Sequence, residues 1–249
     1  MLAPESILDL APPPPGERIA YGRDPHQFAE LRRPKPFGVV PVVIFIHGGY
    51  WRARYDLTHT GHLCVALNKA GWATWSLEYR RLGHPGGGWP GTFDDVLAGA
   101  RRLMAMDDID RQRIVVAGHS AGGHLALWMA ARKVVPLVGV TALAGITDLR
   151  RAHELGLSNG VVSELLGGSP EDQPERYTKA SPIEMLPIAA RQRLLHGRAD
   201  QVAPFELSER FARASKNAEL VALDGAGHFE LIDPRAACWA AVEQAITQW

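Results

Sequence analysis

The stretch Ile114-Val115-Val116-Ala117-Gly118-His119-Ser120-Ala121-Gly122 decides the fold of this chain. Four apolar residues of strand type run directly into a Gly-x-Ser-x-Gly sequence, and a helical pattern follows over residues 122–132. When a strand turns sharply into a helix, the intervening serine takes a strained backbone conformation, and side chains at positions 118 and 122 would collide. The sequence therefore predicts that Ser120 lies on a tight turn above a sheet, with its hydroxyl presented as a nucleophile.

The patterns around this turn alternate between strand and helix, which predicts one α/β domain over residues 1–249 with a doubly wound, mostly parallel sheet. The predicted strands cover residues 42–46, 73–79, 113–117, 137–143, 193–195 and 218–223. Apolar spacing near 3.6 residues predicts helices over residues 92–106, 122–132, 205–215 and 234–248.

Two segments stand outside this alternation. Residues 1–37 include four consecutive prolines at 12–15, which favour an extended N-terminal arm. Residues 147–183 lack a strand pattern and carry several glycines and prolines, which predicts a small cap inserted between two strands.

Composition narrows the function classes. The 249 residues are 46% hydrophobic and 22% charged, as in a globular protein with one large core. Lys plus Arg and Asp plus Glu both number 27, so no basic field favours nucleic acid. Only two cysteines occur, and no secretory or membrane-spanning pattern is found, so we expect a cytoplasmic, non-membrane protein with reduced thiols.

A nucleophilic serine needs a base and an orienting acid, which follow it in folds of this type in the order acid, then histidine. His228 lies in a glycine-rich stretch after the last predicted strand and is the predicted base. Asp200 follows the penultimate strand and is the predicted acid, which would fix the tautomer of His228. Asp148 is the main alternative, with a helix cap as its other interpretation, whereas Asp224 is too close in sequence to reach behind the histidine ring.

The predicted oxyanion hole needs backbone amides that converge on one point. Ala121 follows the nucleophile and supplies the first amide. The others are predicted from Gly48, Gly49 and Tyr50, in the His-Gly-Gly-Tyr-Trp stretch that ends the first strong strand. The alternative is an ordinary glycine turn beside a buried structural His47.

Taken together, these motifs resemble the α/β-hydrolase fold over about residues 38–249. Within it, the HGGYW stretch at 47–51 resembles the kynurenine formamidase (arylformamidase) branch, and residues 20–27 are similar to the N-terminal segment of that branch. Residues 28–31, which follow this segment, depart from the sequence pattern that usually follows it in that branch. The resemblance implies N-formylkynurenine as substrate, and it implies that residues 78–80 and 94–95 support the HGG loop.

We expect a serine hydrolase that acts on a small molecule through an acyl-enzyme, with N-formylkynurenine as the first candidate substrate. Trp51 and Trp89 fall in loops at the catalytic edge and are predicted to line an aryl pocket. The insertion at residues 147–183 is short and gives no indication of a tunnel for a long acyl chain, so we expect substrates with short acyl groups. The alternatives are a carboxylesterase for short acyl or aryl esters and, from another class, a binding protein on a hydrolase scaffold.

Metal and cofactor chemistry are not predicted. His59 and His62 have ligand-like spacing, but no HExxH sequence or convergent carboxylate accompanies them. The chain also lacks GxGxxG and GxxxxGK[ST] sequences, so no nucleotide cofactor is implied. The oligomeric state is not predicted.

Overall fold

The computed structural model describes residues 6–36 and 38–249, and these form a sheet of eight strands with helices on both faces. The strands are β1 (Glu17–Ala20), β2 (Phe28–Arg32), β3 (Val40–Ile46), β4 (Ala73–Leu77), β5 (Ile109–His119), β6 (Gly139–Leu143), β7 (Arg191–Gly197) and β8 (Ala218–Leu223). The helices are α1 (Gly61–Lys69), α2 (Gly91–Leu103), α3 (Ala121–Arg132), α4 (Leu149–Glu154), α5 (Leu157–Leu166), α6 (Pro174–Ala180), α7 (Glu206–Ala214) and α8 (Trp239–Thr247). Short 3₁₀ turns cover Leu57–Thr60, Pro182–Met185 and Phe229–Ile232.

The strand order is β1-β2-β4-β3-β5-β6-β7-β8, and every pair from β4 to β8 is parallel. β1 and β2 add an antiparallel edge, because Ala29 pairs with Leu77 of β4 and β1 pairs in turn with β2. This is the α/β-hydrolase fold, and each of the six predicted strands is present.

The N-terminal region differs from the predicted arm. Residues 17–20 and 28–32 are strands of the sheet, whereas residues 6–10 form a turn and residues 11–16 have no regular secondary structure. The local sequence pattern does not indicate β2, because the strand is only five residues long and carries two charges, Glu30 and Arg32, which pair with each other at 3.0 Å. Its strand conformation comes from pairing with β4, which a local pattern does not report.

Both faces of the sheet are buried, as expected for parallel strands covered by helices. Successive residues of β3 point to opposite faces: Ile44 joins the apolar layer under α2 and α3, whereas Phe45 joins the layer under α1 and α8. The carboxyl ends of the parallel strands therefore lie along one edge, where such folds place their ligands.

The predicted cap, residues 147–183, forms α4, α5 and α6. It is held on α3 by two hydrogen bonds, from Trp128 Nε1 to the Lys179 carbonyl and from His124 Nε2 to the Ala180 carbonyl, each 2.9 Å long. No helix in the described part of the chain combines the length and apolar character needed to cross a bilayer.

Candidate active site

Ser120 sits on a strained turn between β5 and α3, with φ 57° and ψ −120°. The turn is so tight that a Cβ on Gly118 would lie 2.1 Å from the Gly122 carbonyl oxygen, and one on Gly122 would lie 2.0 Å from the Ile46 oxygen. Only glycine fits at these two positions, which explains the Gly-x-Ser-x-Gly spacing. The backbone amide of Ser120 donates to the Leu143 carbonyl at 2.8 Å, which ties the turn to β6.

His228 and Asp200 meet beside this turn although 28 residues separate them. His228 Nδ1 lies 2.7 Å from Asp200 Oδ2, and both side chains are buried. A carboxylate only accepts hydrogen bonds, so Nδ1 carries the proton and Nε2 is left as an acceptor. His228 and Ser120 line the same cavity.

The loop after β7 stabilises Asp200 as a carboxylate. Its Oδ1 accepts hydrogen bonds from the amides of Val202 and Ala203, both at 2.8 Å, and His196 Nε2 lies 3.3 Å from its Oδ2. Burial alone would raise the pKa of Asp200, but hydrogen bonds from His196, His228 and Ala203 hold it well below its ordinary value. Asp200 is therefore ionised at neutral pH.

The two other aspartates considered as the acid lie elsewhere. Asp148 caps α4 by accepting from the Arg151 amide at 3.0 Å, and it pairs with Arg210 at 3.0 Å. Asp224 is exposed and pairs with Arg198 at 3.2 Å. Of the three aspartates, Asp200 is the one whose carboxylate contacts the imidazole of His228.

The loop after β3 approaches Ser120 closely. A Cβ on Gly48 would lie 2.8 Å from the His119 oxygen and 3.0 Å from Ser120 Cβ, and Gly49 has a φ of 107° beside the Tyr55 ring. The amides of this loop and that of Ala121, the first residue of α3, therefore lie at the same turn. The first amides of a helix have no partner within it, so the Ala121 amide is available to an oxyanion.

Buried side chains that follow β4 hold the loop after β3 in place. Glu78 accepts from the Leu57 amide at 3.1 Å and lies 3.3 Å from His47 Nε2, and it pairs with Arg81 at 2.8 Å. The Tyr79 hydroxyl donates to the His47 carbonyl at 2.8 Å. Burial opposes ionisation of Glu78, but the neighbouring His47 and Arg81 lower its pKa, so a buried ionised carboxylate anchors the loop.

The cavity at Ser120 measures about 190 Å³, below the roughly 300–1,000 Å³ typical of sites for drug-sized ligands. Its lining residues are Leu8, Gly49, Tyr50, Tyr55, His59, His119, Ser120, Val202, His228 and Phe229. The sequence did not point to Leu8, Tyr55 or Phe229 as cavity residues. Residues 147–183, the predicted cap, contribute none of this lining.

The predicted aryl pocket is wrong for both tryptophans. Trp51 is completely buried, with its ring edge-on to His124 at 5.1 Å between centroids. Tyr50 and Trp51 both have left-handed φ values, 53° and 55°, and this reversal sends the Trp51 ring into the core. Trp89 packs on Phe93 at 4.8 Å and borders a separate surface cleft with residues of the 172–179 segment.

Two further histidines line the cavity. His119 is buried, and its Nε2 lies 3.0 Å from the His228 carbonyl, so it holds the backbone of the predicted base. Burial and the neighbouring His228 keep its pKa well below the ordinary value. His59 donates from Nδ1 to the Asp56 carbonyl at 2.6 Å, and burial lowers its pKa to about 4.

His59 and His62 do not form a metal site. The imidazole of His62 lies against the Ala11 carbonyl, and the described residues hold no cluster of three potential metal ligands.

An eight-stranded α/β sheet, a strained serine at its carboxyl edge and a buried histidine-carboxylate pair beside that serine define a serine hydrolase of the α/β-hydrolase class. The sequence matches the BD-FAE family over residues 32–214, and the chain belongs to that family.

Curated relatives agree with this class, and a solved structure has the same fold. The chain is 31% identical to esterase LipC of Mycobacterium tuberculosis over 87% of its own length, and 26% identical to a probable isoprenylcysteine alpha-carbonyl methylesterase of Oryza sativa subsp. japonica over 86%. It spans only 60% and 58% of those two proteins. Esterase B of Lactobacillus rhamnosis has the same fold, with a TM-score of 0.76 over 90% of this chain and 80% of that one, at 18% identity.

Proposed function

We propose that this protein is a carboxylesterase that hydrolyses esters with small acyl groups. The observation that carries the proposal is the 2.7 Å contact between His228 Nδ1 and Asp200, at a cavity of about 190 Å³ that also contains Ser120. A histidine in this tautomer presents Nε2 as a base, and the cavity has room for a short acyl group rather than a long chain.

In the proposed reaction, Ser120 Oγ attacks the ester carbonyl carbon while His228 Nε2 takes the hydroxyl proton. Asp200 holds the imidazole and stabilises the imidazolium. The tetrahedral oxyanion accepts hydrogen bonds from amides of the loop after β3 (Gly48, Gly49 and Tyr50) and of Ala121. Collapse of this intermediate breaks the ester bond, and the departing alcohol takes the proton from His228.

The second half of the reaction regenerates the serine. Water gives a proton to His228 Nε2 as its oxygen attacks the acyl-enzyme carbonyl. The new tetrahedral intermediate then expels Ser120 Oγ, which recovers its proton from the imidazolium. The products are the carboxylic acid and the alcohol, and no redox step or cofactor is required.

Two considerations favour an ester over N-formylkynurenine. The relatives with curated names include an esterase and a methylesterase, and neither is named for a formamide substrate. The tryptophans predicted to stack an aryl amine lie outside the cavity, although Tyr55 and Phe229 still give it aromatic walls. The formamide therefore becomes the competing substrate in the test.

The test compares kcat/KM of the purified protein for p-nitrophenyl acetate, methyl acetate and N-formylkynurenine, with Ser120→Ala as the inactive control. We expect hydrolysis of both esters and a kcat/KM for N-formylkynurenine at least about tenfold below that for p-nitrophenyl acetate, a gap of about 1.4 kcal/mol. A preference for the formamide would restore the arylformamidase assignment. Absence of turnover together with absence of fluorophosphonate labelling at Ser120 would favour a binding protein.

We further propose a cytoplasmic location and a small-molecule substrate. The location is supported by Cys64 and Cys238, which are both free thiols. The equal numbers of basic and acidic residues give no support to a nucleic-acid partner.

A further inference from the structure

The N-terminal segment of residues 6–10 contributes a wall to the cavity at Ser120. Ile7 is 3% exposed and joins the apolar layer that contains Leu63 and Leu231. Leu8, the next residue, is half-buried and lines the cavity together with Ser120 and His228. One residue of this segment is thus fixed in the core while its neighbour faces the predicted reaction centre.

Side chains from three other parts of the fold form hydrogen bonds with residues 6–14, one of them with the 6–10 segment itself. Arg235, next to the 3₁₀ turn that follows His228, donates to the Ser6 hydroxyl at 3.0 Å. His62 on α1 lies 3.1 Å from the Ala11 carbonyl, and Arg32 on β2 donates to the Pro14 carbonyl at 3.0 Å. The consecutive prolines at 12–15 limit the freedom of the chain between these contacts. Leu8 is therefore positioned by tertiary contacts, although residues 6–10 form neither helix nor strand.

The apolar side chains around Ser120 are few. Leu8 and Val202 are the two aliphatic side chains in the lining, and Phe229 and the tyrosines supply its aromatic surface. Val202 and Phe229 lie beside Asp200 and His228 in the chain, so the catalytic loops fix their positions. Leu8 comes from a separate segment, so its substitution leaves the sequence of both loops unchanged.

We infer that Leu8 sets the upper size limit of the aliphatic group that the cavity accepts. The inference rests on the proposed function and deepens it: the substrates are esters with a short alkyl group, and the N-terminal segment, rather than the 147–183 insertion, closes the space beyond them. An apolar wall discriminates chain lengths strongly, because one methylene in a hydrophobic pocket is worth roughly 10- to 200-fold in kcat/KM.

Two substrate series test this role. The first varies the acyl group of p-nitrophenyl esters from acetate to butyrate to hexanoate, and the second varies the alcohol of acetate esters from methyl to butyl to hexyl. Leu8→Ala should raise the hexanoate-to-acetate or the hexyl-to-methyl ratio of kcat/KM about tenfold or more, and the series that responds identifies the end of the ester that contacts Leu8. Leu8→Phe should lower the same ratio.

Leu10→Ala is the matched control, because Leu10 belongs to the same segment but lines a different cavity, with Ile7 and Val65. It should leave both ratios within about twofold of the wild type, while thermal unfolding checks that every variant is folded. Leu8→Val provides a milder truncation and should give an intermediate shift.

Three outcomes separate the possible failures. Ratios unchanged by Leu8→Ala in both series, with ester hydrolysis intact, would overturn the role of Leu8 alone. Equal shifts in Leu8→Ala and Leu10→Ala would assign the effect to a loosened segment and overturn it as well. A wild type that hydrolyses no ester of either series would contradict the proposed function itself.

Discussion

The Tyr50 hydroxyl donates a hydrogen bond of 2.6 Å to the Val202 carbonyl, joining the loop after β3 to the loop after β7. These loops carry the predicted oxyanion amides and the predicted acid, since the amide of Val202 itself donates to Asp200. Burial and the nearby Asp200 raise the pKa of Tyr50 to about 12, so the phenol remains a donor at neutral pH. One side chain thus couples the two loops on either side of Ser120.

Tyr50→Phe removes this link without changing the ring. We expect a loss of about 0.5–1.5 kcal/mol in the free energy of unfolding, typical of one hydrogen bond, and a fall in kcat/KM of about 2- to 10-fold on p-nitrophenyl acetate. Denaturant unfolding and steady-state kinetics measure the two effects. Tyr55→Phe, which deletes another hydroxyl from the same cavity, is the comparison variant. Equal effects from both changes would contradict a specific coupling of the loops by Tyr50.

Ser120→Ala and His228→Ala should each lower kcat by roughly 10³-fold or more, because each removes a member of the proposed catalytic triad. The double variant should be hardly slower than either single variant, since the triad is already broken after one change. Kinetics on p-nitrophenyl acetate, with circular dichroism to verify folding, provide the measurement. Losses that multiply in the double variant would mean that the two residues act independently.

Asp200→Asn and Asp148→Asn separate the two candidate acids. Asp200→Asn should lower kcat by about 10²- to 10⁴-fold, because an amide facing Nδ1 favours the wrong tautomer of His228. Asp148→Asn should keep near wild-type kcat and cost at most about 1 kcal/mol of stability, because asparagine caps a helix about as well as aspartate and mainly the pair with Arg210 is lost. An inactive Asp148→Asn beside an active Asp200→Asn would reverse the assignment.

The positions of Ser120, Asp200 and His228 could be predicted because their signals are local. The glycines at 118 and 122 are required by backbone collisions within the turn itself. Asp200 and His228 follow strands whose apolar runs are readable in the sequence, and parallel strands bring their carboxyl ends to one edge. The positions of the three residues at the ends of parallel strands were therefore enough to predict that they lie close together.

Leu8, β2 and Trp51 could not be placed in the same way. Leu8 reaches the cavity through tertiary contacts of its segment, such as the burial of Ile7 and the hydrogen bond from Arg235 to Ser6. Likewise, β2 is a strand through its pairing with β1 and β4. The orientation of Trp51 depends on two successive left-handed residues of which neither is glycine. Nothing in the local residue pattern favours that conformation, so a loop tryptophan was wrongly expected to face the substrate.

The burial of Trp51 changes what its substitution should do. Trp51→Ala should cost about 3–5 kcal/mol in the free energy of unfolding, as for a large aromatic side chain in a core. Any loss of kcat/KM should be similar for phenyl acetate and methyl acetate, because the ring supports the loop after β3 and touches neither substrate. Phe229 lines the cavity, so Phe229→Leu should change kcat/KM for phenyl acetate and for methyl acetate by different factors. A loss confined to phenyl acetate in Trp51→Ala would contradict this structural role.

The pH dependence of stability should reflect the buried neutral histidines. His124 is completely buried, and burial lowers its pKa to about 4, whereas an unfolded histidine titrates near about 6.5. Between these values the unfolded chain binds more protons than the folded protein, so stability rises with pH. The contribution of His124 is complete above about pH 6.5 and is lost as the pH falls toward 4. His59 and His119 shift in the same direction.

His124→Gln should reduce the slope of the free energy of unfolding against pH by up to about 1.4 kcal/mol per pH unit, the slope that corresponds to one proton. Urea unfolding at pH 7, 6 and 5 measures this slope. The variant should also be less stable than the wild type at pH 7, because the imidazole packs against Trp51 and donates to the Ala180 carbonyl at 2.9 Å. The difference in the free energy of unfolding between wild type and variant should therefore become smaller as the pH falls from 7 to 5. Parallel slopes for wild type and variant would show that His124 binds protons equally in the folded and unfolded states, so that burial does not lower its pKa.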